Sequence, residues 1–385
     1  MKILRCAHAS AFSFSAMASI AFGQSTPAPA ESPVGSAAPA ATLASSPVPD
    51  APAASAPLAG ARRGFAQRGP QTRKPVPAGF LSRSQTSNNP NLPTLYIIGD
   101  STASDNPTDP NIQGWGTSFL NYFDSSKINV NNRALGGRSS RSFIYEGHED
   151  ELLAMLKPGD TVLIQWGHND PYDLNESQLR GSLFGLGEDT MDIVRINDGK
   201  PETLHTFGWY MRKYVTDIRA KGATPIILTL TVRDRWNKDA PTTIERNPLP
   251  DPNLFKDSND RSHKEPPIYS VWSAEVAKAM NVPLLDVHNL IADWYDKSGQ
   301  TVVDTYFQSA SNPTHRNEAG AAKDAELTLA VLRAYEGSSF DVFLNDKGKA
   351  IPAADSKYVF PNKALAAAPQ PGAKAGAAAP APAAK

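Results

Sequence analysis

The chain has 385 residues, and its 38 Lys and Arg almost balance its 39 Asp and Glu, which leaves a formal net charge of −1 at pH 7. This balance argues against a nucleic-acid-binding protein, because that class carries a strong basic excess. The single cysteine, Cys6, falls in a predicted secretory signal, so the mature chain is expected to have neither disulfides nor thiol chemistry.

The N-terminus has the parts of a secretory signal. Lys2 and Arg5 precede a short apolar run, and residues 21–23 form a small-x-small pattern. We therefore expect residues 1–23 to be a signal peptide and the mature protein to be exported, to the periplasm or outside the cell. The apolar run is too short to span a bilayer, and Cys6 precedes it, so no membrane anchor is expected.

Two segments are rich in Ala, Pro and Ser, one over residues 24–60 and one over 364–385. Such sequences bury too little apolar surface to offset their chain entropy, so we expect them to be disordered. The stretch 62–91 is more mixed but has no periodicity. The predicted organisation is a signal peptide over 1–23, a disordered linker over 24–91, one folded domain over 92–362 and a disordered tail over 363–385.

Five apolar runs alternate with stretches of helical periodicity. Several runs are continuous, which is typical of strands covered on both faces. One predicted helix ends at Gly222, a residue type favoured at helix C-termini. The pattern predicts an α/β fold with three layers, α/β/α, around a five-stranded parallel sheet. The predicted strands are 95–99, 128–135, 161–167, 225–232 and 282–287, and the helical stripes run through Leu204, Phe207, Met211, Val215 and Ile218, through Ile268, Trp272 and Val276, and through Leu327, Val331, Ala334 and Tyr335.

Candidate functional residues follow the first three predicted strands. Ser101, Gly137 and Asn169 come after the first, second and third strand, and the carboxyl ends of parallel strands meet at one edge of a sheet. His315 lies on the predicted loop before the last helix and can reach that edge. A serine, a histidine and donors for a developing oxyanion are the groups that acyl transfer needs.

Each of these residues also has a structural interpretation. Asp100 and Ser101 are suited to capping the following turn. Gly136 and Gly137 are typical of a turn with positive φ, and Asn169 is typical of a turn-closing side chain. Taken one by one, the residues leave both interpretations open, whereas their convergence on one edge favours the chemical one.

Four motifs carry a resemblance to a known family. In this order, and spread over most of the predicted domain, they resemble the SGNH hydrolase superfamily, which has a flavodoxin-like fold. Within it the chain is most similar to the rhamnogalacturonan acetylesterase family of carbohydrate esterases. The motifs are GDST at 99–102, GGRSSRS at 136–142, GHND at 167–170 and NPTH at 312–315, and the stretch ETLHTFGWYMRKYV at 202–215 supports the finer match.

The resemblance implies a role for each residue at the predicted edge. Ser101 is the nucleophile and His315 is the base. The backbone N–H groups of Ser101 and Gly137, with the Asn169 side chain, form the oxyanion hole. No metal and no other cofactor is implied.

One position departs from the family pattern. The family has an Asp three residues before the catalytic His, and Asn312 stands there in this chain. An amide cannot supply the charge that stabilises imidazolium. Three interpretations stay open: Asn312 orients His315 through its carbonyl oxygen, a nearby acid such as Asp304 or Glu318 takes this role, or the protein is a catalytically weakened carbohydrate-binding protein.

Two other histidines are weaker candidates for the base. A literal DxxH ends at His263, but it lies in a polar insertion before the fifth strand. His288 directly follows that strand, where capping a helix is its expected role. We therefore keep His315 as the predicted base.

Arginines of the second motif region bear on the substrate. Arg138 adjoins the predicted oxyanion glycine and is predicted to bind substrate, because guanidinium binds the carboxylates of pectic polymers. Arg133 and Arg141 are expected instead to pair with core acids such as Asp100 or Asp170. Four tryptophans could stack on sugars, although two of them, Trp209 and Trp272, are expected in the core; the others are Trp166 and Trp236.

The sequence as a whole predicts an exported serine esterase that removes acetyl groups from plant cell-wall polysaccharide, with pectic rhamnogalacturonan as the preferred substrate. The alternatives are an esterase acting on another acetylated glycan such as xylan, and the catalytically weakened binding protein. Two insertions, 171–201 and 233–267, are long for loops, and long loops at an active edge often determine specificity.

Overall fold

The computed structural model describes residues 84–106, 109, 111–246, 268–335 and 340–360, all within one compact unit. The predicted signal peptide, the predicted tail and the predicted linker up to residue 83 lie outside the described residues. In the part of the chain that is described, no helix is long and apolar enough to cross a membrane.

The described chain alternates strands and helices, as its sequence predicts. The strands are β1 (Thr94–Gly99), β2 (Asn129–Asn132), β3 (Thr161–Gln165), β4 (Thr190–Val194), β5 (Pro201–His205), β6 (Thr224–Leu228), β7 (Leu284–Leu285), β8 (Phe307–Ser309), β9 (Asn312–Arg316) and β10 (Val359–Phe360). The helices are α1 (Trp115–Phe119), α2 (Ser140–Tyr145), α3 (His148–Met155), α4 (Phe207–Ala220), α5 (Ile268–Met280), α6 (Val287–Ser298), α7 (Gln300–Val303), α8 (Glu318–Ala334) and α9 (Asp346–Ala350).

The central sheet has the strand order β10-β7-β6-β3-β1-β2. Five of these strands are parallel, and each begins within or beside a predicted apolar run. The predicted five-stranded parallel sheet is therefore confirmed. A sixth strand, β10, pairs antiparallel with β7 at one edge and was missed, because its two residues are too short for a periodic signal.

Continuous apolar strands allow helices to cover both faces of the sheet. In β1, Leu95 and Ile97 pack into one buried cluster, and Tyr96 and Ile98 pack into a second cluster on the opposite face. Helices α1, α6 and α8 pack into the first cluster, and helices α2, α3, α4 and α5 pack into the second. The three-layer α/β/α architecture is confirmed.

The helix before β6 begins later than its apolar stripe suggests. The Thr206 side chain accepts a hydrogen bond from the Trp209 N–H and caps α4, so the helix starts at Phe207. Leu204, assigned to the helical stripe, lies in β5 instead. Gly222 follows the end of α4 with a φ of +74°, as predicted for a residue that terminates a helix.

Two antiparallel hairpins interrupt the alternating pattern. The insertion at 171–201 contains β4 and leads into its partner β5. The second hairpin, β8 with β9, directly precedes α8 and carries His315 on a strand, so the predicted loop position of this residue is wrong. Residues that alternate irregularly in polarity, as here, lack the period-two signal of a strand.

The fold begins before the predicted boundary at residue 92. The Ser84 carbonyl accepts from the Asn132 N–H at 2.9 Å, and the Thr86 N–H donates to the Val130 carbonyl at 3.0 Å. The Ser84 hydroxyl also donates to Asp105 at 2.8 Å. Residues 84–91 therefore run beside β2 and protect the edge of the sheet.

Candidate active site

Ser101 lies in the turn that follows β1. The Asp100 side chain accepts from the Thr102 N–H and from the Thr102 hydroxyl, both at 2.9 Å. The Asp100 carbonyl accepts from the Ser104 N–H at 3.0 Å, which closes the turn. Asp100 thus caps the turn, as the structural interpretation of the motif predicts, and leaves the Ser101 side chain directed at the carboxyl edge of the sheet.

Ser101 and His315 meet at this edge although 214 positions separate them along the chain. The distance from Ser101 Oγ to His315 Nε2 is 2.8 Å. The other ring nitrogen, Nδ1, lies 3.1 Å from Asn312 Oδ1. Serine, imidazole and amide therefore form one hydrogen-bonded chain.

The orientation of the Asn312 amide follows from its neighbours. The His315 backbone N–H can only donate, and it lies 3.2 Å from the amide atom that also faces Nδ1, so this atom is the oxygen. The amide nitrogen then donates to Gln308 Oε1 at 2.8 Å. Because Oδ1 accepts from Nδ1–H, the unprotonated nitrogen is Nε2, which is able to accept the Ser101 proton.

This geometry bears on the three interpretations of Asn312. Among the residues that the structure describes, the partner of His315 Nδ1 is Asn312 Oδ1. Asp304 and Glu318 are both exposed, and neither takes this place. The arrangement matches the interpretation in which the amide oxygen orients the imidazole.

Burial lowers the pKa of His315, and the positive charges of Arg316 and Arg233 lower it further. The resting imidazole is therefore neutral at pH 7, which is the state a general base needs. The same charges disfavour the imidazolium that forms when the base takes a proton, and Asn312 offers no opposing negative charge.

The second and third motifs enclose the space beside Ser101. A Cβ on Gly136 would lie 3.7 Å from Ser101 Cβ, so the glycine backbone packs close to the serine. The Asn169 amide donates to the Arg138 carbonyl at 2.9 Å and joins the two motifs. Across the described residues, no protein acceptor pairs with the backbone N–H of Ser101 or of Gly137.

The backbone conformation at position 137 requires glycine. Its φ of +76° lies in the left-handed region, whereas a Cβ there would meet only Gln178 Oε1, at 3.4 Å. The positive φ of the turn is therefore what requires glycine at this position.

The arginines pair with acids other than those expected. Arg133 pairs with Glu151 at 3.2 Å, and Arg141 binds both oxygens of Glu202 at 2.9 Å. The expected pairing with Asp100 or Asp170 is wrong: Asp100 accepts instead from the N–H and hydroxyl of Thr102, and Asp170 accepts from Ser140 and Ser182. The bidentate pair instead attaches β5 to α2.

Arg138 lies at the glycine turn, as its motif requires. Its Nε donates to Glu146 at 2.9 Å, and its Nη1 donates to the Gly136 carbonyl at 3.0 Å. The guanidinium therefore supports the turn that presents Gly136 and Gly137. Its role in binding substrate stays a prediction.

Asp170 is a buried residue that sequence reasoning treated only as a possible partner of arginine. Its carboxylate accepts from the Ser140 N–H at 3.2 Å, from the Ser140 hydroxyl, and from the Ser182 hydroxyl at 3.3 Å. Burial raises the pKa of Asp170 to about 7 and that of Asp100 to about 6. Asp170 thus joins the third motif, the start of α2 and the insertion.

Of the two weaker candidates for the base, His288 is the one that the structure describes, and its hydrogen bonds do not join it to Ser101. His288 is buried, and its Nδ1 lies 3.1 Å from the Leu230 carbonyl. Burial lowers its pKa to about 4. Its expected capping role is wrong, because Asp286 caps α6. His263 lies outside the described residues.

The four tryptophans differ in exposure. Trp166 and Trp272 are buried in the core, as expected for Trp272. Trp209 is half-buried on α4 and stacks on His205 with ring centroids 3.7 Å apart. Trp236 is half-buried and donates to Asp234 at 2.9 Å.

In the described ranges, no group of three or more His, Cys, Asp and Glu could hold a metal ion.

Comparison with known proteins places this arrangement in a family. Residues 97–323 match the GDSL-like Lipase/Acylhydrolase family. A probable rhamnogalacturonan acetylesterase of Bacillus subtilis (strain 168), YesY, is 27% identical over 242 residues, which are 62% of this chain and 92% of that protein. A rhamnogalacturonan acetylesterase of Emericella nidulans is 35% identical over 144 residues, 37% of this chain and 54% of that protein.

The crystal structure of the Bacillus subtilis protein YxiM has a TM-score of 0.47 and 22% identity, and the match covers 65% of this chain and 58% of that chain. The family match includes Ser101, Gly137, Asn169 and His315. The chain belongs to the GDSL-like lipase/acylhydrolase family of SGNH hydrolases, with rhamnogalacturonan acetylesterases among its relatives, and is an ester hydrolase.

Proposed function

We propose that the protein is an exported serine esterase that removes acetyl groups from plant cell-wall polysaccharide, and that its substrate is pectic rhamnogalacturonan. The observation that carries the proposal is the hydrogen-bonded chain from Ser101 Oγ through His315 to Asn312 Oδ1, with distances of 2.8 and 3.1 Å. The names of the relatives support the acetyl group and the polysaccharide, and the predicted signal peptide supports export.

In the first half of the reaction, Ser101 Oγ attacks the acetyl carbonyl while His315 Nε2 takes the hydroxyl proton. Negative charge develops on the carbonyl oxygen. The N–H groups of Ser101 and Gly137, with the Asn169 amide, are the donors proposed to stabilise it. His315 then protonates the departing sugar oxygen, and an acetylated Ser101 remains.

In the second half, water replaces the sugar. His315 Nε2 accepts a proton from water, and the resulting hydroxide attacks the acetyl carbonyl. The same donors stabilise the second oxyanion, and His315 returns the proton to Ser101 Oγ as acetate leaves. Asn312 keeps Nε2 on the side of Ser101 throughout, because its oxygen holds the Nδ1 proton.

The direct test is Ser101→Ala. It removes the nucleophile and should lower acetate release from 4-nitrophenyl acetate by about a thousandfold or more. Ser126→Ala is the matched control, because the Ser126 hydroxyl is exposed and bonds only its neighbour Asp124 at 2.6 Å. Circular dichroism should show that both variants are folded.

Retention of esterase activity by folded Ser101→Ala would reject the assignment. Wild-type protein that binds acetylated polysaccharide but releases no acetate from any ester would favour the binding-protein alternative. Acetate release from acetylated rhamnogalacturonan, xylan and a third acetylated glycan, compared at equal acetyl concentration, tests the substrate. A higher kcat/KM on acetylated xylan would replace rhamnogalacturonan in the proposal.

A further inference from the structure

The insertion after the third motif begins with a compact loop, residues 172–181. Both ends are attached to the third motif: the Tyr172 N–H donates to the Asn169 carbonyl at 3.3 Å, and the Ser182 N–H donates to the Asp170 carbonyl at 3.2 Å. The loop therefore leaves the candidate active site and returns to it within a few residues.

Several contacts fix the conformation of the 172–181 loop. The Glu176 carboxylate accepts from the N–H groups of Gln178 and Arg180, both at 2.9 Å. Leu179 is fully buried although its φ of +53° is unusual for a residue with a side chain. A Cβ on Gly181 would lie 2.2 Å from the Tyr172 carbonyl oxygen, so only glycine lets the loop close. Unfavourable backbone conformations held by packing are found mainly at functional sites.

The loop lies against the predicted oxyanion turn. If Gly137 carried a Cβ, that atom would lie 3.4 Å from Gln178 Oε1. The neighbouring Gly136 packs close to Ser101, because a Cβ on Gly136 would lie 3.7 Å from Ser101 Cβ. Gln178 itself is exposed. Its carboxamide therefore borders the space in which a bound ester would lie.

The exposed side chains of the loop have the chemistry that binds sugars. Tyr172 is 44% exposed, and the Arg180 guanidinium lies 3.4 Å from its ring centroid, which holds the ring in place. A rigid aromatic ring packs on the C–H face of a sugar at low entropic cost. The Gln178 carboxamide supplies both a donor and an acceptor for sugar hydroxyls.

We propose that the 172–181 loop is a carbohydrate subsite that binds a sugar residue next to the acetylated one, with Tyr172 as the stacking surface and Gln178 as the hydrogen-bonding residue. This inference rests on the proposed function, because it assumes a polysaccharide substrate. A small ester such as 4-nitrophenyl acetate has no sugar to place there.

The test compares Tyr172→Ala with wild type on two substrates, acetylated rhamnogalacturonan and 4-nitrophenyl acetate. The ratio of kcat/KM on the polysaccharide to kcat/KM on the small ester should fall about tenfold, mainly through KM, because stacking binds ground state and transition state alike. Tyr172→Trp should keep the ratio. Gln178→Ala should lower it less than Tyr172→Ala does.

Tyr145→Ala is the matched control. Tyr145 also lies under a guanidinium, with Arg195 4.5 Å from its ring centroid, but it stands at the end of α2 and outside the loop. Its ratio should equal that of wild type. An unchanged ratio in Tyr172→Ala would overturn the subsite, and so would equal losses on both substrates, which would indicate a distorted Gly137 turn.

Failure of the proposed substrate gives a different result. Wild type would then hydrolyse 4-nitrophenyl acetate and release no acetate from the polysaccharide. In that case, electrophoresis of Ser101→Ala in gels containing the acetylated polysaccharide decides the subsite. Retardation that weakens when Tyr172→Ala is added would support it, whereas equal mobility of the two variants would overturn it.

Discussion

The two halves of the candidate active site are held in different ways. Ser101 follows a central strand of the parallel sheet, above buried polar side chains that connect neighbouring strands. Gln165 on β3 accepts from Trp115 Nε1 at 2.8 Å and donates to the Thr229 carbonyl at 2.7 Å. His315 lies instead on a separate two-stranded hairpin whose tip, including Gln308, is exposed.

Backbone hydrogen bonds and a buried ion pair attach the hairpin to the domain. The Arg316 carbonyl accepts from the Gln113 N–H at 2.9 Å, and the Pro313 carbonyl accepts from the Asp234 N–H at 2.8 Å. The Arg316 side chain is buried, pairs with Asp324 on α8 at 2.9 Å and also donates to a backbone carbonyl. The position of the nucleophile thus follows from strand order, whereas that of the base depends on backbone hydrogen bonds to the hairpin and on the buried Arg316–Asp324 ion pair.

The largest effect is expected from breaking that ion pair. Arg316→Met leaves the Asp324 carboxylate buried without its cation, and it should lower the free energy of unfolding by about 3 kcal/mol, measured by urea denaturation. The double variant Arg316→Met/Asp324→Leu removes both charges and should recover most of this loss. Equal losses in the single and double variants would show that packing, not the unpaired charge, determines the effect.

A smaller effect is expected at the base itself. Asn312→Asp should raise kcat on 4-nitrophenyl acetate by about tenfold, because a carboxylate stabilises the imidazolium while Asn312 already selects the tautomer. The acid limb of the kcat/KM profile should move to higher pH. Burial and the charges of Arg316 and Arg233 lower the His315 pKa in the native chain, and the introduced negative charge opposes them.

The control for this prediction is Asn312→Leu, which removes the amide oxygen without adding charge. It should lower kcat, since nothing then selects the tautomer with the proton on Nδ1. Equal kcat values for wild type and Asn312→Asp would mean that charge at this position contributes nothing to turnover. A fall in kcat for Asn312→Asp would contradict the mechanism.

The same contrast explains what the sequence could predict. Continuous apolar runs identify the parallel strands, and the carboxyl ends of such strands share an edge, so the neighbourhood of Ser101, Gly137 and Asn169 follows from the pattern. The hairpin that carries His315 has no such pattern. Four of the five residues of its β9 strand, Pro313 among them, are half-buried, and only the motif placed His315 in the site.

The sequence also could not predict which charged side chains pair with one another. Arg141 binds Glu202, 61 positions away, and this partner depends on how the insertion folds back over α2. The 172–181 loop is similar, because the buried Leu179 with positive φ and the position of Gln178 beside Gly137 are tertiary features. The length of the 171–201 insertion, which is long for a loop, was the only signal in the sequence.

An effect on the pH dependence of stability is expected at Asp170, on the nucleophile side. Burial raises its pKa from 3.8 to about 7 in the folded protein, so the folded state holds this proton more tightly than the unfolded chain does. Its contribution to stability is therefore complete below about pH 4 and is lost as pH rises through about 7. Asp170→Asn keeps an acceptor for Ser140 and cannot ionise. The difference in Tm between this variant and wild type should shift in favour of the variant from pH 4 to pH 8.

The matched control is Asp239→Asn, which makes the same change at an exposed aspartate. A parallel pH dependence for wild type and Asp170→Asn would mean that Asp170 ionises with an ordinary pKa. The three donors from Ser140 and Ser182 would then stabilise the charge as fully as water does. In that case an ionised Asp170 would hold the start of α2 beside the third motif. The nucleophile side of the site would then depend on a buried charge, as the base side does.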